Sequence, residues 1–172
     1  MSDSFMTIIG IIIAVILMFV WPLLAMSEKT DDISQTVVQS ATSEFVDKVS
    51  ISGKIKRSDY DAFIQKITAT GNTFDVEIEV QHLDENPGKK SVVTSGSLIG
   101  ENLRYSTFTA EIEDVLKNED YLLNKGDNVI VTVKNTNKTL AQLLRTAFYK
   151  VTGEGASEVS ASASSMVVNT GK

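Results

Sequence analysis

The chain has 172 residues, no cysteine, one histidine, two prolines and a formal net charge of −6. That length fits one compact domain, or one domain with an anchor; the absence of cysteine excludes disulfides and thiolate metal sites, and a lone histidine gives no transition-metal ligand set. The acidic balance argues against direct nucleic-acid binding, which needs basic patches to meet phosphate.

Charge is unevenly placed. The first 26 residues hold one charged side chain, Asp3, and Met6 to Met26 hold none. As a helix, about 21 residues at roughly 1.5 Å each span about 31 Å, the thickness of a bilayer's hydrocarbon core. The run shows no polar stripe. Residues 1–5 are therefore a short N-terminal segment, and 6–26 a transmembrane helix. Ile8, Ile9, Ile11, Ile12, Ile13, Val15, Ile16, Leu17, Phe19, Val20 and Trp21 form its lipid-facing surface. Trp21 sits near one end, where an indole favours the interface, and Pro22 removes a hydrogen bond to the previous turn. The competing reading is a cleavable signal peptide ending at Leu23-Leu24-Ala25. The lack of Lys or Arg before the run and the length of the run favour a retained anchor. With no room for a domain before the helix, the remainder is placed on the extracytoplasmic side of a cell membrane.

Residues 27–52 continue as an amphipathic stalk in which Ile33, Val37, Ala41 and Phe45 recur every four residues. This stripe packs either on the chain's own domain or on neighbouring subunits. Residues 53–172 form a small mixed domain. Ser58 offers an N-cap with Asp61 three residues on; Tyr60, Phe63, Ile64 and Ile67 share a helical face that stops at Gly71. Phe74, Val76, Ile78 and Val80 alternate with Asp75, Glu77, Glu79 and Gln81, which predicts a strand wet on one face. Asn86-Pro87-Gly88 marks a turn, and Val92, Val93, Leu98 and Ile99 suggest a short strand. A helix over Thr109 to Lys117 groups Phe108, Ile112, Val115 and Leu116. Gly126-Asp127-Asn128 introduces a strand with Val129, Val131 and Val133 on one side. Thr139 caps a helix whose apolar face is Leu140, Leu143, Leu144, Ala147 and Val151. From Glu158 to Val168, small apolar residues alternate with serines as a final strand. About three strands and three short helices make an α+β sandwich with one sheet face covered.

The chain declares no active site. His82 continues the apolar phase of its strand and has no flanking motif, so a partly buried strand end fits better than a general base. Gly153-Glu154-Gly155 lacks the lysine of a phosphate loop. Acidic residues at 84–86, 119–120 and 124–128 lack the spacing of a calcium loop and fit solvated loops. Lys54, Lys56 and Arg57 are too few for a lipid headgroup site. No cofactor is expected.

The order of parts resembles the TadE-like pseudopilins of Gram-positive conjugative elements. A membrane helix runs into a stalk containing Phe45-Val46-Asp47-Lys48-Val49. Ser52-Gly53-Lys54-Ile55 and Tyr60-Asp61-Ala62-Phe63-Ile64 follow, then Gly126 to Val133 and a terminal small-residue strand. The resemblance implies a structural or accessory subunit of a pilus-like, secretion or conjugation apparatus. Such a subunit meets the bilayer and other pilin-like subunits through its N-terminal helix. The chain departs from the prepilin pattern, because Gly10 lies inside the apolar run and Val15 stands where a glutamate is usual. That departure implies an unprocessed, membrane-resident subunit. An anchored extracellular binding or sensing module is the alternative, and an anchored hydrolase a distant third.

Overall fold

The computed structural model describes residues 2–83, 104–149 and 158–171. Helix α1 runs unbroken over Ser2–Ser52, 51 residues, or roughly 75 Å at 1.5 Å per residue. Pro22 lies within it and leaves the Met18 carbonyl without its usual donor. After α1 come β1 (Lys54–Ile55), α2 (Arg57–Thr68), β2 (Phe74–Leu83), β3 (Arg104–Phe108) and α3 (Thr109–Leu116). The order is completed by β4 (Tyr121–Leu122), β5 (Asn128–Asn135), α4 (Leu140–Tyr149) and β6 (Ser160–Met166).

Four strands form an antiparallel sheet in the order β3-β2-β5-β6. The period-2 pattern dictates its faces. Val80, Ile78 and Val76 stand opposite Val129, Val131 and Val133, which in turn oppose Ser165, Ala163 and Ala161. This inner face meets α1. The outer face carries Asp75, Glu77, Glu79, Thr132, Lys134 and Ser160, Ser162 and Ser164 of β6. One face covered and one wet is the usual economy of an antiparallel sheet.

The second half of α1 is the centrepiece of the core. Val38, Ala41, Phe45, Val46 and Val49 are buried with Ile78, Val80, Val129, Val131 and Val133. Small side chains on β6 let the helix come close, and polar side chains of α1 reach the outer edge of the strand. The Gln35 amide donates to the Ser160 carbonyl and accepts from the Ser160 N–H at 3.0 Å. Fifteen residues on, the Ser50 hydroxyl donates to the Met166 carbonyl and the Ser50 carbonyl accepts from the Val168 N–H. Both ends of an edge strand that would otherwise invite another chain are thus tied to the helix. On the other flank Phe45 stacks on Phe63 of α2, with centroids 4.7 Å apart. Lys48–Asp59 and Lys66–Glu44 ion pairs rim that contact.

Several expectations need correction. Helix α2 begins at Arg57 after an extended Lys56 that offers no side-chain cap, so Ser58 lies inside it. Its carboxylate neighbour Asp61 pairs with Arg57 at 3.3 Å. Phe108 ends β3 and is exposed, while Ile112 and Leu116 bury the inner face of α3. The count of about three strands was low; β3 flanks β2, and β1 pairs with β4 as a two-stranded antiparallel ribbon. The turn expected at 86–88, the short strand around 92–99, Val151 and the glycines at 153 and 155 lie outside the described residues.

The end of the domain far from the apolar run is knit backbone to backbone. Gly53, at φ +70°, follows α1 directly. Its carbonyl accepts from Leu123 N–H, and the Leu123 carbonyl accepts from Gly171 N–H, each at 2.9 Å. A Cβ at Gly53 would collide with the Asn169 carbonyl oxygen and lie 2.6 Å from Gly171 N. Gly53→Ala is therefore expected to cost about 2 kcal/mol or more, from left-handed strain plus the clash. Urea unfolding of the full chain in detergent micelles measures this, with Gly71→Ala as the comparison. Gly71 shares the positive φ but meets open space.

Candidate functional site

Two features invite a functional reading, the exposed half of α1 and a buried polar cluster at the far end of the sheet. Among the described residues, α1 is the single helix long and apolar enough to cross a membrane, and its most apolar stretch is not buried by the rest of the chain. Ile8, Ile11, Ile12, Ile13, Val15, Ile16, Leu17, Phe19 and Trp21 are exposed, and Ile9 and Val20 are partly so. Trp21 is 74% exposed. A stretch of large apolar side chains open on all sides is far outside what a water-soluble surface tolerates.

The stripe continuing along α1 divides. Ile33 is exposed, Val37 half-buried, and Ala41 and Phe45 are buried in the chain's own core. From the join between the two regimes onward, small hydroxyl residues recur along the helix, with Ser27, Ser34 and Thr42 buried and Thr30 exposed. Ser27, Thr30, Ser34 and Thr42 each donate to the carbonyl four residues earlier. Their polar atoms are satisfied within the helix, so they can sit against the domain without needing partners from it.

At the end of α1 nearest the apolar run, α4 lies against it. Thr139 N-caps α4 in a reciprocal capping box. Its hydroxyl accepts from Gln142 N–H, and the Gln142 side-chain oxygen Oε1 accepts from Thr139 N–H, both at 3.2 Å. The Thr139 hydroxyl also donates to Asp31 at 2.6 Å. One turn further, the Arg145 guanidinium donates through Nε and Nη2 to Glu28 Oε1, at 2.9 and 2.7 Å. A cleft of about 300 Å³ lies between α1, α4 and the start of β6, with Asp31, Asp32, Gln35 and Glu158 among its walls.

The polar cluster is built by strand register. His82 ends the inner row of β2, and continuing the β2–β5 pairing places Asp127 opposite it. Imidazole Nδ1 donates to Asp127 Oδ2 at 2.9 Å, and in that tautomer Nε2 accepts from the Tyr121 hydroxyl at 3.0 Å. The same carboxylate oxygen accepts from Asn124 N–H at 2.8 Å, closing a turn that Gly126 completes at φ +96°. His82 and Asp127 are buried, and Tyr105 packs its ring 4.9 Å from the imidazole. Aspartate, histidine and a hydroxyl in line resemble a relay, but the hydroxyl is a phenol whose pKa burial pushes up. It stays protonated as a donor instead of becoming a nucleophile. The cluster acts as a bracket fixing the 121–127 segment to the sheet. Strand phase placed His82 at a half-buried strand end. It did not identify the partners, because Asp127 reads as part of a turn signal.

Of the acidic and basic groups noted in the sequence, several pair locally, and those at 84–86 lie outside the described residues. Asp120 faces Lys54 at 3.6 Å and Asp127 faces His82. No group of three or more metal-ligating side chains occurs among the described residues. The chain matches no family model, no curated protein and no solved structure.

Asp127→Ala leaves the imidazole and the Asn124 N–H without their acceptor and should cost about 1–3 kcal/mol. Urea unfolding in micelles reads this directly. Tyr121→Phe separates the phenol's share. Because its folded pKa is raised, its contribution is complete below the ordinary tyrosine range. It is lost as pH rises through the folded value. Wild type should lose more stability than Tyr121→Phe on going from neutral pH to above pH about 10.

Proposed function

We propose that the chain is a membrane-anchored, non-enzymatic structural or accessory subunit of a pilin-like assembly. Residues 6–26 span a cell membrane and the sheet domain stands on the extracytoplasmic side. The observation carrying this reading is the division of labour within one helix. Its first half is apolar and open all round, and its second half is the core of an antiparallel sheet. A helix built into its domain in this way transmits position, since the domain cannot turn without turning the helix. That suits a subunit whose packing in the membrane sets the placement of domains outside it. The resemblance of the sequence to TadE-like pseudopilins supports the same role. The bilayer and the α1 helices of neighbouring subunits are the partners it requires.

An anchored binding module is the second reading, favoured by the cleft between α1 and α4. The pairing of Arg145 with Glu28 there consumes the one cation among its walls that an anionic ligand would use.

Phe45 is not a usable probe of assembly, because it is 4% exposed within the chain's own core. The exposed half of α1 is. The chain has no native cysteine, so single cysteines at successive positions from Ile8 to Val20 report neighbours cleanly. Oxidation in native membranes is expected to give cross-linked dimers at positions recurring about every 3.6 residues, the period of one contacting helix face. Ile33→Asp, on the exposed continuation of α1, is expected to reduce the yield. Monomer at every position, or equal yield at all, would contradict packing between copies.

A further inference from the structure

We infer that α4 is a second membrane contact, an interfacial helix that lays its leucine stripe on the surface of the bilayer beside the point where α1 enters it. The inference rests on the proposal that α1 spans the membrane, and three independent observations carry it from there.

The first is height. The Arg145–Glu28 and Thr139–Asp31 contacts fix α4 against α1. Glu28 lies about 3 Å, and Asp31 about 7.5 Å, beyond Met26 along α1. From its cap to Arg145, α4 thus descends towards the end of the apolar run and continues to Tyr149. That is the depth of a bilayer's headgroup layer, roughly 5–10 Å thick on each side.

The second is the orientation of the stripe. Ala141 is buried and Arg145 reaches α1, which fixes the inward side of α4. Leu140 and Leu143, three residues apart on another face, remain half exposed at 52% and 51%. Leu144 flanks them and is partly exposed. Among the described residues nothing covers Leu140 and Leu143 fully, and they lie on the helix that packs next to the open apolar surface of α1.

The third is charge. Arg145 neutralises Glu28, the first carboxylate after the apolar run, and the Thr139 hydroxyl engages Asp31, so two carboxylates of α1 at this end are spent within the chain and do not oppose its approach to a bilayer. Short amphipathic helices with leucine on one face bind in this plane. The consequence is orientational: α1 fixes the domain's distance from the bilayer, and α4 fixes its tilt.

The test uses three single-cysteine variants of the full chain, Leu143→Cys, Ile12→Cys and Thr132→Cys. Each carries an environment-sensitive fluorophore and is reconstituted into vesicles of phosphatidylcholine with phosphatidylglycerol. Lipids bearing a nitroxide in the headgroup region or deep in the acyl chain quench each probe. Position 143 is expected to be quenched about threefold more strongly by the shallow nitroxide than position 132, on the outer sheet face, as an interfacial helix requires. Position 12 should answer to the deep nitroxide. If position 12 is deep while 143 behaves like 132, the anchor stands and the docking of α4 is overturned. If position 12 is not quenched, the anchor reading fails and this inference fails with it. A probe at 143 in an apolar setting that neither nitroxide reaches would mean a protein surface covers the stripe, which also overturns it.

Discussion

The close packing of α1 along β6 is the contact on which the other features depend. A helix can lie this near a strand only if the strand presents small side chains, and Ala161 and Ala163 supply them where the serines turn to solvent. Bonds from Gln35 and Ser50 to the backbone of β6 hold the helix parallel to the strand and close the sheet's edge. Val38, Thr42, Val46 and Val49 then cover the valine rows of β5. Because this contact is made by a helix that continues far beyond the domain, it also settles how the domain is carried. Sheet and apolar run share one continuous helix, in which Pro22 omits a single backbone hydrogen bond.

Serving two surroundings puts conflicting demands on one helix. Residues 6–26 are apolar on every side, which the proposed span explains, since lipid would reward that and impose no stripe. Residues 34–50 must divide their surface among β6, α2 and water. The transition falls at 27–34, where Ser27, Thr30 and Ser34 return their hydroxyls to their own helix. These small groups allow α4 and the 135–139 segment to approach α1 near the end of the apolar run. The far end has the opposite character: Gly53, Leu123 and Gly171 meet through backbone, and the His82–Asp127–Tyr121 bracket pins the segment between them. One end of the domain is locked by main chain, and the other leaves Leu140 and Leu143 half exposed.

Much of this arrangement was legible because it repeats. The charge-free run, the alternation from Phe74 to Val80, the valines of β5 and the Ala/Ser alternation of β6 each extend far enough to declare their period. So does the spacing in α4, and the Thr139 cap read from one residue proved to be a reciprocal box with Gln142. Two-residue strands have no period to show, so β1 and β4 were invisible. Ser58 looked like a cap because its residue type favours one, but the extended Lys56 had already started the helix. The stalk stripe was found as a stripe, yet periodicity says only that a face is apolar. It could not tell that Phe45 stacks on Phe63 while Ile33 faces outward. The Asp127 carboxylate opposite His82 required the β2–β5 register, which depends on how far apart the strands meet and not on either strand alone.

The central claim is that α1 is one continuous helix, protected by lipid over its first half and by its own sheet over its second. Hydrogen exchange of the full chain in lipid nanodiscs, resolved along residues 6–52, tests this most directly. Continuous slow exchange from the apolar run through Ser27–Ser34 into the segment under the sheet is the predicted result. Fast exchange between Pro22 and Ser34, flanked by slow exchange on both sides, would show a hinge and contradict a helix that fixes the domain to its anchor. Fast exchange over residues 6–26 in lipid would contradict the membrane span itself.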